Sequence, residues 1–385
     1  MATSLSSRLS TLKIPQLKRI ASLTGINTSG TKAVLTSRLL DELPIPKLKF
    51  EHSHGPSNEG LVSAATKDGR GRGRSRIISI DMGIRNLAYC VIDVPAPTLD
   101  DHNRSRGGTI KWEPPRVLAW RRIAIAAKGQ GQRPQTPDQF SPPTLSHLAY
   151  NLITHTFLPH KATQVLIERQ RFRTLGGSAI QEWTVRVNMF ESMLWAVFET
   201  LRREKMTDVE VQAVLPGKVG AFWLGDEIGG RGEVMKKEGK GEEIDKKGEG
   251  ALVAPRKRQL KTAKQRTKQA KIDIVGTWLS HPSDSSTIVF ADGAKQTGGA
   301  FLKKWSGKRG KRKSKTPPKR VGEETEVSTE IGGGNKMVEE DEMSKLDDLA
   351  DCLLQGIAWV KWEENRRRII QDEGSLDQIL KPSKT

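Results

Sequence analysis

Five carboxylates in this 385-residue chain stand where acidic groups could share work: Asp81, Glu168, Asp347, Asp348 and Asp351. Asp81 ends an apolar run, Ile77-Ile78-Ser79-Ile80, and is followed by Met82-Gly83; Leu87 to Ile92 then supply a second β-prone run, so 76–94 reads as strand, tight turn, strand. Glu168 ends "QVLIE", a short buried strand. The three aspartates lie in "KLDDLADCLLQGIAWV" (345–360), where Leu346, Leu349, Leu353, Leu354 and Ile357 give a helix an apolar stripe. Spacings of four and three let either Asp347 or Asp348 point the same way as Asp351.

Like charges gathered without compensation raise one another's pKa values and weaken the fold, and a bound divalent cation removes that conflict. An all-oxygen donor set suits Mg²⁺ or Mn²⁺. Two such ions about 3.5 to 4 Å apart can hold an attacking water and a leaving oxygen for in-line phosphodiester hydrolysis, with no protein nucleophile. Singly, Asp81 could cap a turn, Glu168 could pair with Arg169 or Arg171, and Asp347 and Asp348 could complement a helix dipole. Their joint placement on two strand ends and one helix favours metal chemistry.

The elements that must position them follow from periodicity. After the first two strands, "RVLAWRRIAIA" (116–126) suits a third strand, and Leu145, Leu148, Ala149, Leu152, Ile153 and Phe157 mark a helix. The strand 164–168, a long helix over 178–202, a fifth strand within 208–216 and a basic helix at 261–279 come next. Three meandering strands, helix, strand, helix, strand, helices is the ribonuclease H-like order, an α/β mixed sheet flanked by helices. In that order strand 164–168 lies parallel beside the first strand, which brings Glu168 to the same sheet edge as Asp81.

Charge and composition narrow the partner. Lys and Arg number 64 against 45 Asp and Glu, a net charge of +19, which favours a polyanion, nucleic acid before an anionic membrane. Arg169, Arg171 and Arg173 alternate directly after Glu168, a pattern suited to clamping phosphates. Lys218, Lys264 and Lys268 offer further phosphate contacts. Two cysteines, Cys90 and Cys352, exclude a disulfide framework or a cysteine metal site. No run approaches the roughly 18 apolar residues of a membrane span, so no membrane partner is expected.

Residues 9–43 hold two amphipathic helical patterns around Gly25 to Gly30, and with Leu17-Lys18, Gly25-Ile26 and "SGTKAVL" they resemble the SAP module, a DNA-binding helical hairpin. Lys18, Lys32 and Arg38 would meet phosphates there. The first 40 residues lack Asp and Glu, a transit-segment composition that points to mitochondria. The expected organisation is a SAP-like hairpin (1–44), a linker (45–75), a catalytic domain (76–370) with low-complexity insertions at 226–258 and 303–343, and a tail (371–385). The basic stretch 303–320 leaves nuclear import as the alternative destination.

"ISIDMGIRNLAYCVID", "LIERQRFRT", "WTVRVNMFESMLWAVFE" and "KLDDLADCLLQGIAW" together resemble the fungal mitochondrial Holliday junction resolvases, similar in fold to the bacterial junction resolvases of the ribonuclease H-like superfamily. That resemblance implies a Mg²⁺-dependent homodimer, without small-molecule cofactor, that places paired symmetric nicks in four-way DNA junctions. It implies metal ligation by Asp81, Glu168, Asp347 and Asp351; the bacterial spacing of three would substitute Asp348 for Asp347. The aromatic helix with Trp183, Phe190, Met193, Trp195 and Phe198 is the expected dimer surface, the alternative being that all five are core. Two other readings stay open. One is a non-catalytic DNA binder. The other is an actin-like phosphotransferase, which also opens on strand, Asp-x-Gly, strand, with "IGGGNK" (331–336) as its adenosine-binding glycines.

Overall fold

The computed structural model describes residues 2–50, 73–84, 86–99, 110–125, 140–170, 182–229, 263–281, 288–313 and 346–371, together with Leu376 and Leu380. Strands β1 (Arg74–Asp81), β2 (Leu87–Pro95) and β5 (Arg116–Ile123) form the antiparallel meander, and β3 (Thr98–Leu99) and β4 (Ile110–Lys111) make a small separate ladder. Strands β6 (Gln164–Glu168) and β7 (Glu210–Val214) extend the sheet in parallel on the other side of β1, and the short β8 (Val289–Phe290) pairs in parallel with β5. The order β7-β6-β1-β2-β5-β8 is the mixed ribonuclease H-like sheet with one added edge strand.

Strand alternation sorts the side chains onto two faces. Ile78, Ile80, Tyr89, Val91, Val165 and Ile167 face a core closed by α4 (Pro142–Asn151) and α5 (Glu182–Arg203). Ile77, Cys90, Ile92 and Leu166 face the opposite core, built on α6 (Pro216–Gly229), α7 (Ala263–Ser280), α8 (Asp292–Lys313) and a final helix, α9 (Leu346–Gln371). By the same alternation, Asp81 and Glu168 end their strands on the α9 side.

Burial against both sheet and neighbours explains why the middle of α9, residues 352–360, is buried all round. Gly356 permits its close approach: a Cβ there would press on Ile92 and come within 3.1 Å of Ser79 Cβ. Side chains then fix the helix register. Trp120 Nε1 donates to Leu349 O at 3.0 Å, Ser79 Oγ to Cys352 O at 2.8 Å and Trp223 Nε1 to Leu354 O at 2.9 Å.

At the N-terminus, α1 (Ala2–Thr11), α2 (Ile14–Leu23) and α3 (Lys32–Glu42) enclose their own small core of Leu9, Leu17, Ile20, Ile26, Leu35 and Leu39. That core is shared: Ile369 of α9 and Leu376 complete it.

Several boundaries differ from the periodic reading, each for a packing reason. The last helix runs eleven residues past 360, because Trp362, Arg366 and Ile369 bury against the hairpin where the sheet ends. Residues 303–313 belong to α8 and do not open an insertion: Phe301 and Trp305 continue its buried stripe, and Trp305 Nε1 donates to Asp273 Oδ1 at 2.8 Å. Residues 226–229 likewise close α6. The expected linker starts inside the fold, since Leu48 is buried and Lys47 O accepts from Gln164 and Trp359. The helix expected over 145–157 ends at Asn151 and continues as a π turn, Leu152–Phe157. The bulk of both low-complexity segments, "IGGGNK" included, lies outside the described residues.

Candidate metal and DNA site

Parallel pairing brings the first two carboxylates together. Ile80 pairs with Ile167, so Asp81 and Glu168 stand side by side one residue further along. Their carboxyls share a hydrogen bond. Burial first, then the charges of Glu168, Asp351 and Asp348, push the Asp81 carboxyl well above the ordinary carboxylate range. Asp81 nonetheless keeps part of its surface open, so the crowded pair is reachable from solvent.

α9 crosses this edge with its first two turns. Asp348 accepts from Arg122 Nε at 3.2 Å, and the same guanidinium holds Asn86 Oδ1 in the turn after β1. Asp347 pairs with Lys268 of α7, and Asp351 Oδ1 lies 2.9 Å from Lys271 Nζ, one helical turn further along. Burial raises the Asp351 carboxyl against the pull of Lys271. Burial depresses Lys268, but its bond to Asp347 and the charges of Asp347, Asp348 and Asp351 outweigh that and hold it above its ordinary value.

Among the described residues no three His, Cys, Asp or Glu side chains stand at ligating distance of one point. Asp81 and Glu168 share a hydrogen bond, while Arg122, Lys268 and Lys271 pair with the three aspartates. The donor set still suits a hard divalent ion: oxygen ligands only, and mutual repulsion that a divalent charge would relieve. Lys268 and Lys271 are tethered by flexible stems on a separate helix, so they can withdraw from the acids.

Beneath the acids lies a residue that the sequence reading did not single out. Gln355, only 2% exposed, sends its amide nitrogen to Ser79 Oγ at 3.0 Å, Ile80 O at 3.2 Å and Leu166 O at 3.4 Å. It therefore ties both acid-bearing strands to α9, one turn below Asp351. A lone amide inside "CLLQGIAWV" was the signal that could have found it. Glu191 of α5 acts nearby, accepting from the Gln170 amide at 3.1 Å and so fixing the chain where it leaves Glu168.

The basic residues divide. Lys18 and Lys32 are exposed on the hairpin, and Arg169 is exposed beside Glu168. Arg38 instead closes the hairpin loop, donating to Asn27 O and Ser29 O at 2.7 Å each. Lys218 donates to Gly25 O at 3.0 Å, a contact between α6 and the hairpin. Lys268 is committed to Asp347. Arg171, Arg173 and the Lys264 side chain lie outside the described residues. On the aromatic helix Phe190 and Phe198 are core, Met193 and Trp195 are half-buried, and Trp183 is 40% exposed against Phe140.

Comparison with known proteins meets this geometry from outside. Residues 8–44 match the SAP domain, and residues 77–369 match the family described as mitochondrial resolvase Ydc2 / RNA splicing MRS1. Cruciform cutting endonuclease 1, mitochondrial, of Schizosaccharomyces pombe is 27% identical over 201 residues, which is 51% of this chain. The match spans 60% of that relative's length. The crystal structure of the yeast mitochondrial Holliday junction resolvase Ydc2 aligns with a TM-score of 0.47 at 20% identity, covering 96% of this chain and 99% of that one. Thermus thermophilus RuvC in complex with Holliday junction substrate aligns over 40% of this chain and 72% of its own, with a TM-score of 0.24 and 16% identity. By the extent of the family match, this chain belongs to the mitochondrial resolvase Ydc2 / RNA splicing MRS1 family and carries a SAP domain at its N-terminus.

Proposed function

We propose that this chain is a divalent-metal-dependent endonuclease that resolves four-way DNA junctions in mitochondria. The family description covers both a resolvase and a splicing protein, so membership alone does not choose between cutting and binding. The observation that favours cutting is the Asp81–Glu168 carboxyl pair under the acidic start of α9. Acids that repel one another also repel a polyanion, so a protein that only binds nucleic acid gains nothing from them.

Asp81, Glu168 and Asp351 would hold the ions, with Asp347 or Asp348 completing the set; Mg²⁺ is the expected metal and Mn²⁺ its substitute. When bound, the ions supply Lewis acidity and a hydroxide-like water for attack on the scissile phosphate. Arg122 orients Asp348, Gln355 holds the strand ends and α9 in register, and Arg169 faces the incoming backbone. Lys268 and Lys271, released from their aspartates, become cations beside the phosphate.

A homodimer suits a substrate of approximate two-fold symmetry that needs two opposed cuts. Trp183 and Val185, 40% and 47% exposed, are the most exposed large apolar residues of α5. The acid-free N-terminus and the names of the family and its relative support a mitochondrial address. Imaging the fused full-length protein checks it: nuclear signal alone would remove the mitochondrial part of the proposal.

One observation favours the binding-only alternative. All three α9 aspartates have cationic partners, a self-compensated arrangement that requires no metal. The deciding experiment is single-turnover cleavage of a synthetic four-way junction against linear duplex, with Mg²⁺ and with chelator. Metal-dependent symmetric nicks confined to the junction support the nuclease, whereas tight junction binding without any nick would leave the binder.

A further inference from the structure

The acids and the hairpin hang on the same helix. α9 is continuous from Leu346 to Gln371; its first two turns carry Asp347, Asp348 and Asp351, and its last two carry the hairpin. Asn365 Nδ2 donates to Leu23 O at 2.7 Å and Arg366 Nε to Thr24 O at 2.8 Å, at the C-terminal end of α2. Arg366 Nη1 reaches Glu42 O and Ile45 O, both at 2.7 Å, at the C-terminal end of α3. One guanidinium thus caps two helices, where carbonyls accumulate and a cation is favoured. Arg366 is only 2% exposed. Gly25, at φ +67°, lies so close over Trp362 that no side chain fits between them, and Ile369 is fully buried in the hairpin's core. Lys218 adds a contact to Gly25 O from α6. Undocking would break the three guanidinium–carbonyl bonds and expose Trp362 and Ile369 to water, which favours a hairpin held in place on α9.

Rigid docking fixes a distance. Asp348 and Arg366 are 18 residues apart on one helix, about 27 Å at 1.5 Å per residue. Both hairpin helices meet α9 by their C-terminal ends. The opposite end of α3, with exposed Lys32 at a helix start that Thr31 caps through Val34 N, lies up to about 15 Å further away by the same rise. Lys18 is exposed on α2. Exposed Lys18 and Lys32 give the hairpin positive charge beside the start of α3, the chemistry that meets a phosphate backbone.

We propose that the hairpin grips a duplex arm of the same DNA that is cut, at a set spacing from the scissile phosphate, with α9 as the ruler. At about 3.4 Å per base pair, 27 to 42 Å corresponds to about 8 to 12 base pairs. The proposal rests on the nuclease reading for the position of the cut, but its binding part stands without it.

The test uses the full-length chain and four-way junctions of one core sequence whose arms extend 5, 7, 9, 11, 14 or 18 base pairs. Affinity is measured in chelator, so that no cleavage is needed, and single-turnover cleavage is measured in Mg²⁺. The expected result is a step of about tenfold in affinity as arms pass 8 to 12 base pairs, with a steeper salt dependence above it. The surface double variant Lys18→Glu, Lys32→Glu should lose the step. A smooth rise with arm length, or a step that survives in the double variant, would overturn the ruler. Absent cleavage together with an intact step would sink the nuclease reading and leave the ruler standing.

Discussion

The two ends of α9 solve opposite problems with the same kinds of group. At the N-terminal end, carboxylates crowd one another and meet their cations through long side chains borrowed from α7 and β5, pairings that a competing charge can replace. At the C-terminal end, Arg366 meets backbone carbonyls at and just past the ends of two helices, which a rotamer change cannot withdraw. Side-chain partners leave a site adjustable, whereas backbone partners make a joint. The lesson is that charge alone does not mark function in this chain. The acids at one end remain in conflict, and the cation at the other is held by three backbone carbonyls.

Breaking the conflicted end should give the largest effect. Asp81→Asn keeps shape and removes charge, and is expected to lower junction cleavage at least about a thousandfold, roughly 4 kcal/mol of barrier, while junction affinity in chelator stays within about twofold. Equal cleavage by the variant would separate Asp81 from the chemistry. Breaking the other end should cost stability: Arg366→Met leaves buried carbonyls at Thr24, Glu42 and Ile45 without a donor, a loss of about 3 kcal/mol by denaturant titration. An unchanged midpoint would mean that the hairpin is held by apolar contact alone.

Gln355 lies between the two ends and sharpens the contrast. Gln355→Met keeps volume but removes the donor shared by Ser79, Ile80 and Leu166, and should lower kcat about 10- to 100-fold with KM little changed. A fall in kcat no larger than the fall in folded fraction would reduce Gln355 to a packing role.

The smallest effect concerns Lys47, whose ammonium stands 4.4 Å from the Trp359 ring near the hairpin joint. Burial, with Arg366 and Lys218 adding to it, lowers its pKa to about 8. Between about 8 and 10.5 the unfolded chain binds this proton and the folded chain does not, so stability rises with pH across that window and the penalty is constant below it. Lys47→Met should flatten that slope and stabilise the protein at pH 7 by on the order of 1 kcal/mol, a discount for partial exposure and the lost ring contact included. A slope that persists in the variant would assign it to another group.

What could be read from the sequence was whatever depends on local period. Alternation in "RIISID" and "QVLIE" places Asp81 and Glu168 at strand ends, and strand order makes them neighbours before any coordinates are seen. The aspartate spacing in "LDDLAD" is also legible, but not which cation each acid meets, because Arg122, Lys268 and Lys271 arrive from 80 to more than 200 residues away. Residues 361–371 resist sequence reading for a related reason. "KWEENRRRIIQ" looks like a solvated helix end, and only the docked hairpin explains why its charges are buried. Phosphate-binding roles assigned to Arg38 and Lys218 by charge meet loop and joint carbonyls in the structure, a use that no spacing encodes.

The most direct measurement is calorimetric titration of Mn²⁺ into the full-length protein, compared with Asp81→Asn, in buffers of different ionisation enthalpy. If Asp81, Glu168 and the α9 acids form one divalent site, the wild type should bind saturably with proton release, as the ion takes the place of the proton shared by the crowded carboxyls, and the folded variant should lose that binding. Identical binding by both proteins, or none by the wild type at millimolar Mn²⁺, would contradict it.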